Sequence, residues 1–127
     1  MATVRREIRI HRPPDDVWAL VRDAAALHRW FPGLVASEVD GTKRVITMRS
    51  GLSMPEEIIT IDDDLRRFQY RITSPIVSNH QGTIDVIPEP DGSLVIYSTD
   101  ISPDPMAYVF SGATGAALDE LKAQMEA

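Results

Sequence analysis

From residue 35 to residue 102 apolar and polar side chains alternate in short runs, and each run ends on residues that tolerate turn geometry. This punctuation restricts the chain more than any other feature. It predicts strands over 35–40, 43–50, 54–62, 66–73, 78–88 and 93–102. The joints are Asp40-Gly41, Ser50-Gly51, Asp63-Asp64, Ser74-Pro75 and Pro90-Asp91-Gly92, so neighbouring strands form antiparallel hairpins.

The flanks read differently. Val4, Ile8 and Ile10 alternate with Arg5, Glu7 and Arg9, which predicts a first strand over 3–11. Pro13 and Pro14 stop it, and Asp15 or Asp16 places carboxylate charge against the free amides of a helix start. Val17, Trp18, Leu20, Val21 and Ala24 form one helical stripe, and a short second helix follows near Leu27 to Arg29. Trp30, Phe31, Pro32 and Gly33 then make an aromatic corner. Beyond Ser102-Pro103, a closing helix can gather Met106, Val109, Phe110, Ala113, Ala117, Leu118, Leu121 and Met125 on one face. Gly112 and Gly115 weaken that helix, at about 1 kcal/mol each, and point to a bend or to a neighbour that needs room.

The order is strand, two short helices, six strands, terminal helix: an α+β chain with a seven-stranded curved antiparallel sheet. At 127 residues, with no repeat and no internal linker, it is expected to form one domain over 1–127. One helix cannot cover the whole concave face of such a sheet, so a cavity is expected between them.

Composition narrows the function classes. The net charge of −6 opposes binding to phosphate backbones, so no nucleic-acid partner is expected. The acidity is uneven: from Ile72 onward Lys122 alone is basic, against eight acidic side chains. Solvated strand edges and helix faces explain most such biases. The absence of cysteine excludes disulfides and thiolate chemistry and fits a cytoplasmic setting. No window has the roughly 20 apolar residues of a membrane span. The three histidines are scattered, so no metal is expected, and no cofactor is implied.

The run Arg12-Pro13-Pro14-Asp15-Asp16-Val17-Trp18, with Trp30-Phe31-Pro32-Gly33, resembles the helix-grip superfamily. This group is also called SRPBCC and includes START-like, Bet v 1-like and bacterial polyketide cyclase/dehydratase-like proteins. The resemblance extends through Gly41-Thr42-Lys43-Arg44, Glu57, Tyr70, Gly82, Asp91-Gly92 and the terminal helix. It implies a helix-grip fold with a ligand held between sheet and terminal helix. It does not imply one activity, because such cavities carry lipids and hormones, cyclise polyketides or serve protein contacts.

Strand parity predicts which side chains face the cavity. Phe68, Tyr70 and Ile72 share one face of their strand, and His80, Ile84 and Val86 one face of the next. Glu57, Ile59 and Ile61 are taken as the inward set over 54–62, and Val95, Tyr97, Thr99 and Ile101 over 93–102. Arg44 shares its parity with Ile46 and Met48. Counting from hairpin centres sets Glu57 opposite Tyr70, Tyr70 opposite His80, and Arg44 diagonal to Glu57. The expected site is thus a polar band of Arg44, Glu57, Tyr70 and His80 on a wall of Ile46, Met48, Ile59, Phe68, Ile84, Tyr97 and Thr99. Trp18, Trp30, Phe110 and Ala113 would complete it from the helices.

The favoured reading is binding of a small hydrophobic molecule by a monomer or weak homodimer. An enzymatic alternative uses His80 and Tyr70 for proton transfer, with Glu57 as a third catalytic group, in a cyclase, aromatase or dehydratase. A second alternative is a protein-interaction module with a filled core. A purely structural Arg44–Glu57 bridge competes with any role in chemistry, because buried charges are usually paired.

Overall fold

A computed structural model describes residues 1–127. The strands are β1 (Ala2–Ile10), β2 (Leu34–Asp40), β3 (Lys43–Met48), β4 (Ser53–Asp62), β5 (Arg67–Ile72), β6 (Asn79–Glu89) and β7 (Gly92–Ser102). They form one antiparallel sheet in the order β1-β7-β6-β5-β4-β3-β2. The helices are α1 (Pro14–Val21), α2 (Leu27–Trp30) and α3 (Met106–Met125), with a 3-10 turn over Ala24–Ala26. This is the α+β helix-grip architecture expected from the sequence. No helix is long and apolar enough to cross a membrane.

Local chemistry accounts for the helix positions. Pro14 opens α1, where its missing amide costs no helical hydrogen bond, and Asp15 and Asp16 occupy the first turn. Asp23 accepts from the Ala25 amide at 3.2 Å and starts the 3-10 turn. Trp18 Nε1 and Arg22 Nε both donate to Asp63 Oδ1, at 2.8 and 2.9 Å, which ties α1 to the β4–β5 connection.

α3 is continuous across both glycines. At Gly115 a β-carbon would stand 2.5 Å from Arg6 Cζ, so this glycine makes room for the β1 arginine, which donates to Ser111 O at 2.9 Å. Gly112 faces open space. Ala107, Thr114, Ala117, Leu118 and Leu121 are buried, and the helix packs on β1 and β7.

The centre of the concave face is filled. Trp30, Tyr97, Phe68, Ile84, Val86, Val95, Leu118 and Leu121 each have less than 2 % of their surface exposed. Because α3 lies over the β1–β7 side, the part of the sheet formed by β3, β4 and the end of β5 receives only its first two turns, with α2 beside them. That is where the hollow lies. It is smaller than the sheet's area alone suggests, because aromatic side chains occupy the rest.

Much of the C-terminal acidity is absorbed within the fold. Asp85 accepts two bonds from Arg67, Asp104 meets the N-terminal amine, and Glu126 meets Lys122 and the His11 amide.

Candidate functional site

The hollow is lined by Leu27, Phe31, Leu34, Ile46, Met48, Met54, Glu56, Tyr70, Ile72, Val109, Phe110 and Ala113, and has a volume of about 120 Å³. Eleven of these twelve side chains are hydrophobic, and the exception is Glu56. α2 and the chain after it supply one side, β3, β4 and β5 the floor, and the start of α3 the roof. Two thioethers, Met48 and Met54, give the wall an adaptable surface.

Behind this wall lies a buried polar cluster. Arg44 and Glu56 are paired across β3 and β4, with Nε to Oε1 at 2.7 Å. Arg44 Nη1 donates to Ala24 O at 3.2 Å, and Nη2 has no partner. The guanidinium stands 5.0 Å from the Tyr70 ring centre and 5.3 Å from that of Phe68, close enough for cation–π attraction. The Tyr70 and Tyr97 hydroxyls are hydrogen-bonded to each other. Desolvation pushes the Glu56 carboxyl above its ordinary range, against the pull of Arg44. Burial likewise pushes both the Tyr70 and the Tyr97 phenol well above the ordinary range.

Two expected inward residues are corrected. Glu57 faces out, accepting from Thr42 Oγ1 at 2.8 Å, with Arg71 and Lys43 opposite it in the strand register. Ile59 is 42 % exposed. The cause is a double irregularity in the β4–β5 hairpin. Its connection is longer than the Asp63-Asp64 turn: Asp62 pairs with Arg67, Asp62 Oδ1 accepts from the Asp64 and Leu65 amides, and Arg66 takes a left-handed φ of 53°. A bulge between Ile58 and Thr60 then recovers one residue. The net one-residue slip carries Glu56 inward in place of Glu57 and Ile58 in place of Ile59. Tyr70 consequently opposes Ile58 on one side and Gly82, not His80, on the other.

Of the other expected residues, Ile46, Met48, Tyr70, Phe110 and Ala113 line the cavity. Arg44 lies behind Glu56. Phe68, Ile84, Tyr97 and Thr99 are buried in the filled centre, away from the cavity lining. Trp30 is buried against Phe31 and Tyr97, and Trp18 is held by Asp63, so neither indole meets the hollow. His80 is 3 % exposed and sits between the Tyr70 and Phe110 rings, with centroids 5.4 and 5.5 Å away. It borders a separate open concavity beside Arg71, Asn79 and Asp100. Its Nδ1 accepts from the Ile72 amide at 3.0 Å, which places the ring proton of the neutral form on Nε2. Burial lowers its pKa to about 4. Of the three proposed catalytic groups, His80 and Tyr70 are neighbours, with the His80 Nδ1 and the Tyr70 hydroxyl engaged by Ile72 and Tyr97, and Glu57 is on the opposite face of the sheet. No three His, Asp or Glu side chains are grouped as metal ligands would be.

The lining residues outside the expected site are Leu27 from α2, Phe31 from the connection after it, Leu34, Met54, Glu56 and Ile72 from strands, and Val109 from α3. Leu27 and Phe31 lie outside any strand, and Leu34 is the first residue of β2, ahead of the irregularity between Leu34 and Ala36, so strand alternation does not place these three. Met54 and Ile72 were legible as strand residues; their place at the cavity depends on where α3 ends its coverage.

A family model described as "Polyketide cyclase / dehydrase and lipid transport" matches residues 1–126. Protein XoxI from Bacillus cereus is similar over 99 % of this chain and 96 % of its own, with 26 % identity and a TM-score of 0.93. A START superfamily protein from Mycobacterium smegmatis is 15 % identical with a TM-score of 0.80, over 98 % of this chain and 97 % of its own. A norcoclaurine synthase point mutant from Thalictrum flavum, in complex with a transition state analogue, is 19 % identical. Its TM-score is 0.76, over 98 % of this chain and 94 % of its own, and these last two likenesses concern the fold alone. No curated protein matches.

Proposed function

This chain belongs to the polyketide cyclase / dehydrase and lipid transport family, and from that premise we propose that it binds a small, largely apolar molecule in the hollow between β3–β5 and α3. The observation that carries this reading is the lining itself: eleven hydrophobic side chains around about 120 Å³, with one carboxylate among them. Apolar burial supplies the affinity, at about 25 cal/mol per Å² of surface removed from water. The volume sets the scale of the ligand. Sites for drug-sized ligands occupy roughly 300–1,000 Å³, whereas an apolar cavity of about 150 Å³ accepts one benzene ring. A single ring or a short acyl chain is the matching occupant.

The acid–base alternative finds less support. The acceptor nitrogen of His80 is already engaged by the Ile72 amide, and the Tyr70 hydroxyl is engaged by Tyr97. Neither is a free base at neutral pH.

Methyl-resolved NMR with toluene as the probe tests the proposal. Saturable shifts are expected at Ile46, Met48, Met54, Ile72 and Ala113. Absence of any shift, or shifts confined to other surfaces, would overturn it.

A further inference from the structure

Glu56 is the one polar side chain in the cavity lining. It is 4 % exposed, and its Oε1 already accepts the Arg44 Nε proton at 2.7 Å. Oε2 receives no hydrogen bond from the protein. Arg44 does not fill that role here: its Nη1 is turned to Ala24 O, its Nη2 makes no hydrogen bond, and its Cζ stands 5.3 and 5.0 Å from the Phe68 and Tyr70 ring centres. Tyr70, whose ring also borders the hollow, spends its hydroxyl on Tyr97.

The polar group presented to an occupant is thus a carboxylate oxygen, an acceptor, whose charge is balanced from behind by a guanidinium that the occupant does not touch. We propose that Glu56 is the specificity-determining residue of the cavity and selects a neutral hydroxyl-bearing ligand, a phenol or short alcohol whose O–H donates to Oε2. This assignment rests on the binding reading above and adds the chemistry of the ligand's polar end.

The consequence is a ranking. A hydroxyl that donates to a desolvated carboxylate makes a charge-assisted bond of the stronger kind. An ether of the same shape has no proton to give and leaves Oε2 unsatisfied. A carboxylate ligand would set two negative acceptors against each other in an apolar space.

The test is a calorimetric and NMR titration of the intact protein with phenol, anisole, toluene and benzoate at neutral pH. Phenol is expected to bind at least about tenfold more tightly than anisole or toluene, corresponding to about 1.4 kcal/mol, and benzoate more weakly than either. Toluene or anisole binding as tightly as phenol would overturn the assignment while leaving the cavity reading intact. Benzoate binding best would also overturn it, by showing that Arg44 reaches the ligand. Failure of all four to bind would remove both readings. The double variant R44M/E56M, which leaves no buried charge, supplies a second arm. It is expected to retain toluene binding and lose the preference for phenol, and an unchanged preference would overturn the role of Glu56.

Discussion

Arg44 on β3 and Glu56 on β4 stand directly opposite one another with 2.7 Å between Nε and Oε1, and each side chain is only 2 % exposed. Desolvation of two charges costs several kcal/mol per ion, and their attraction roughly offsets it. Removing one partner leaves the other buried and uncompensated. Arg44→Met alone, or Glu56→Met alone, is therefore expected to destabilise the fold by about 3–5 kcal/mol, whereas the double variant should lie within about 2 kcal/mol of the parent. Urea unfolding of the three variants reads this directly. Additive losses in the double variant would show that the pair is not coupled.

Gly82 and Gly115 should respond unequally to alanine. A β-carbon on Gly82 would stand 2.5 Å from Tyr70 Cζ, and that rigid ring is buried with its hydroxyl held by Tyr97. Gly82→Ala is expected to cost about 1–3 kcal/mol through overpacking. On Gly115 the neighbour is the end of the flexible Arg6 side chain. Gly115→Ala should be near neutral, because the gain of up to about 1 kcal/mol in helix propensity offsets the displaced Arg6–Ser111 contact. Thermal midpoints of the two variants decide it, and equal losses would contradict the account.

His80 gives the fold an acid sensitivity of defined sign. Burial lowers its pKa from 6.5 to about 4. Between those values the unfolded chain binds a proton that the folded chain refuses, so stability falls as the pH drops. From pH 7 to pH 5 the contribution is about 2 kcal/mol at 1.36 kcal/mol per pH unit. Glu56, raised by desolvation, acts in the opposite direction. Comparison with His80→Gln, which retains an acceptor for the Ile72 amide, isolates the imidazole. The parent should lose more stability between pH 7 and pH 5 than the variant does, and parallel profiles would contradict this.

The fold was legible because its signals are local. Alternation and turn residues placed all seven strands, and Pro14 with Asp15 and Asp16 placed α1. The site was legible only in part, and the missing part is a matter of register. In the β4 segment Glu56-Glu57-Ile58-Ile59, each kind of residue occurs at both parities, so the pattern does not state which member faces in. The bulge at Ile58–Thr60 decides it, and a bulge has no reliable sequence mark when isoleucine and threonine surround it. His80 kept its inward parity because its hairpin departs from the expected register by two residues, which preserves the face. The cavity's position was not legible either, since it depends on how far α3 reaches across the sheet.

Ala113 provides the most direct measurement, because it lies on the α3 face over the hollow. Ala113→Leu adds three carbons to a space of about 120 Å³ and keeps a residue of high helix propensity. In calorimetric titrations with phenol, the parent protein should show saturable binding while Ala113→Leu shows none and retains its thermal midpoint. Equal binding by both proteins would contradict the claim that the occupant enters between sheet and terminal helix.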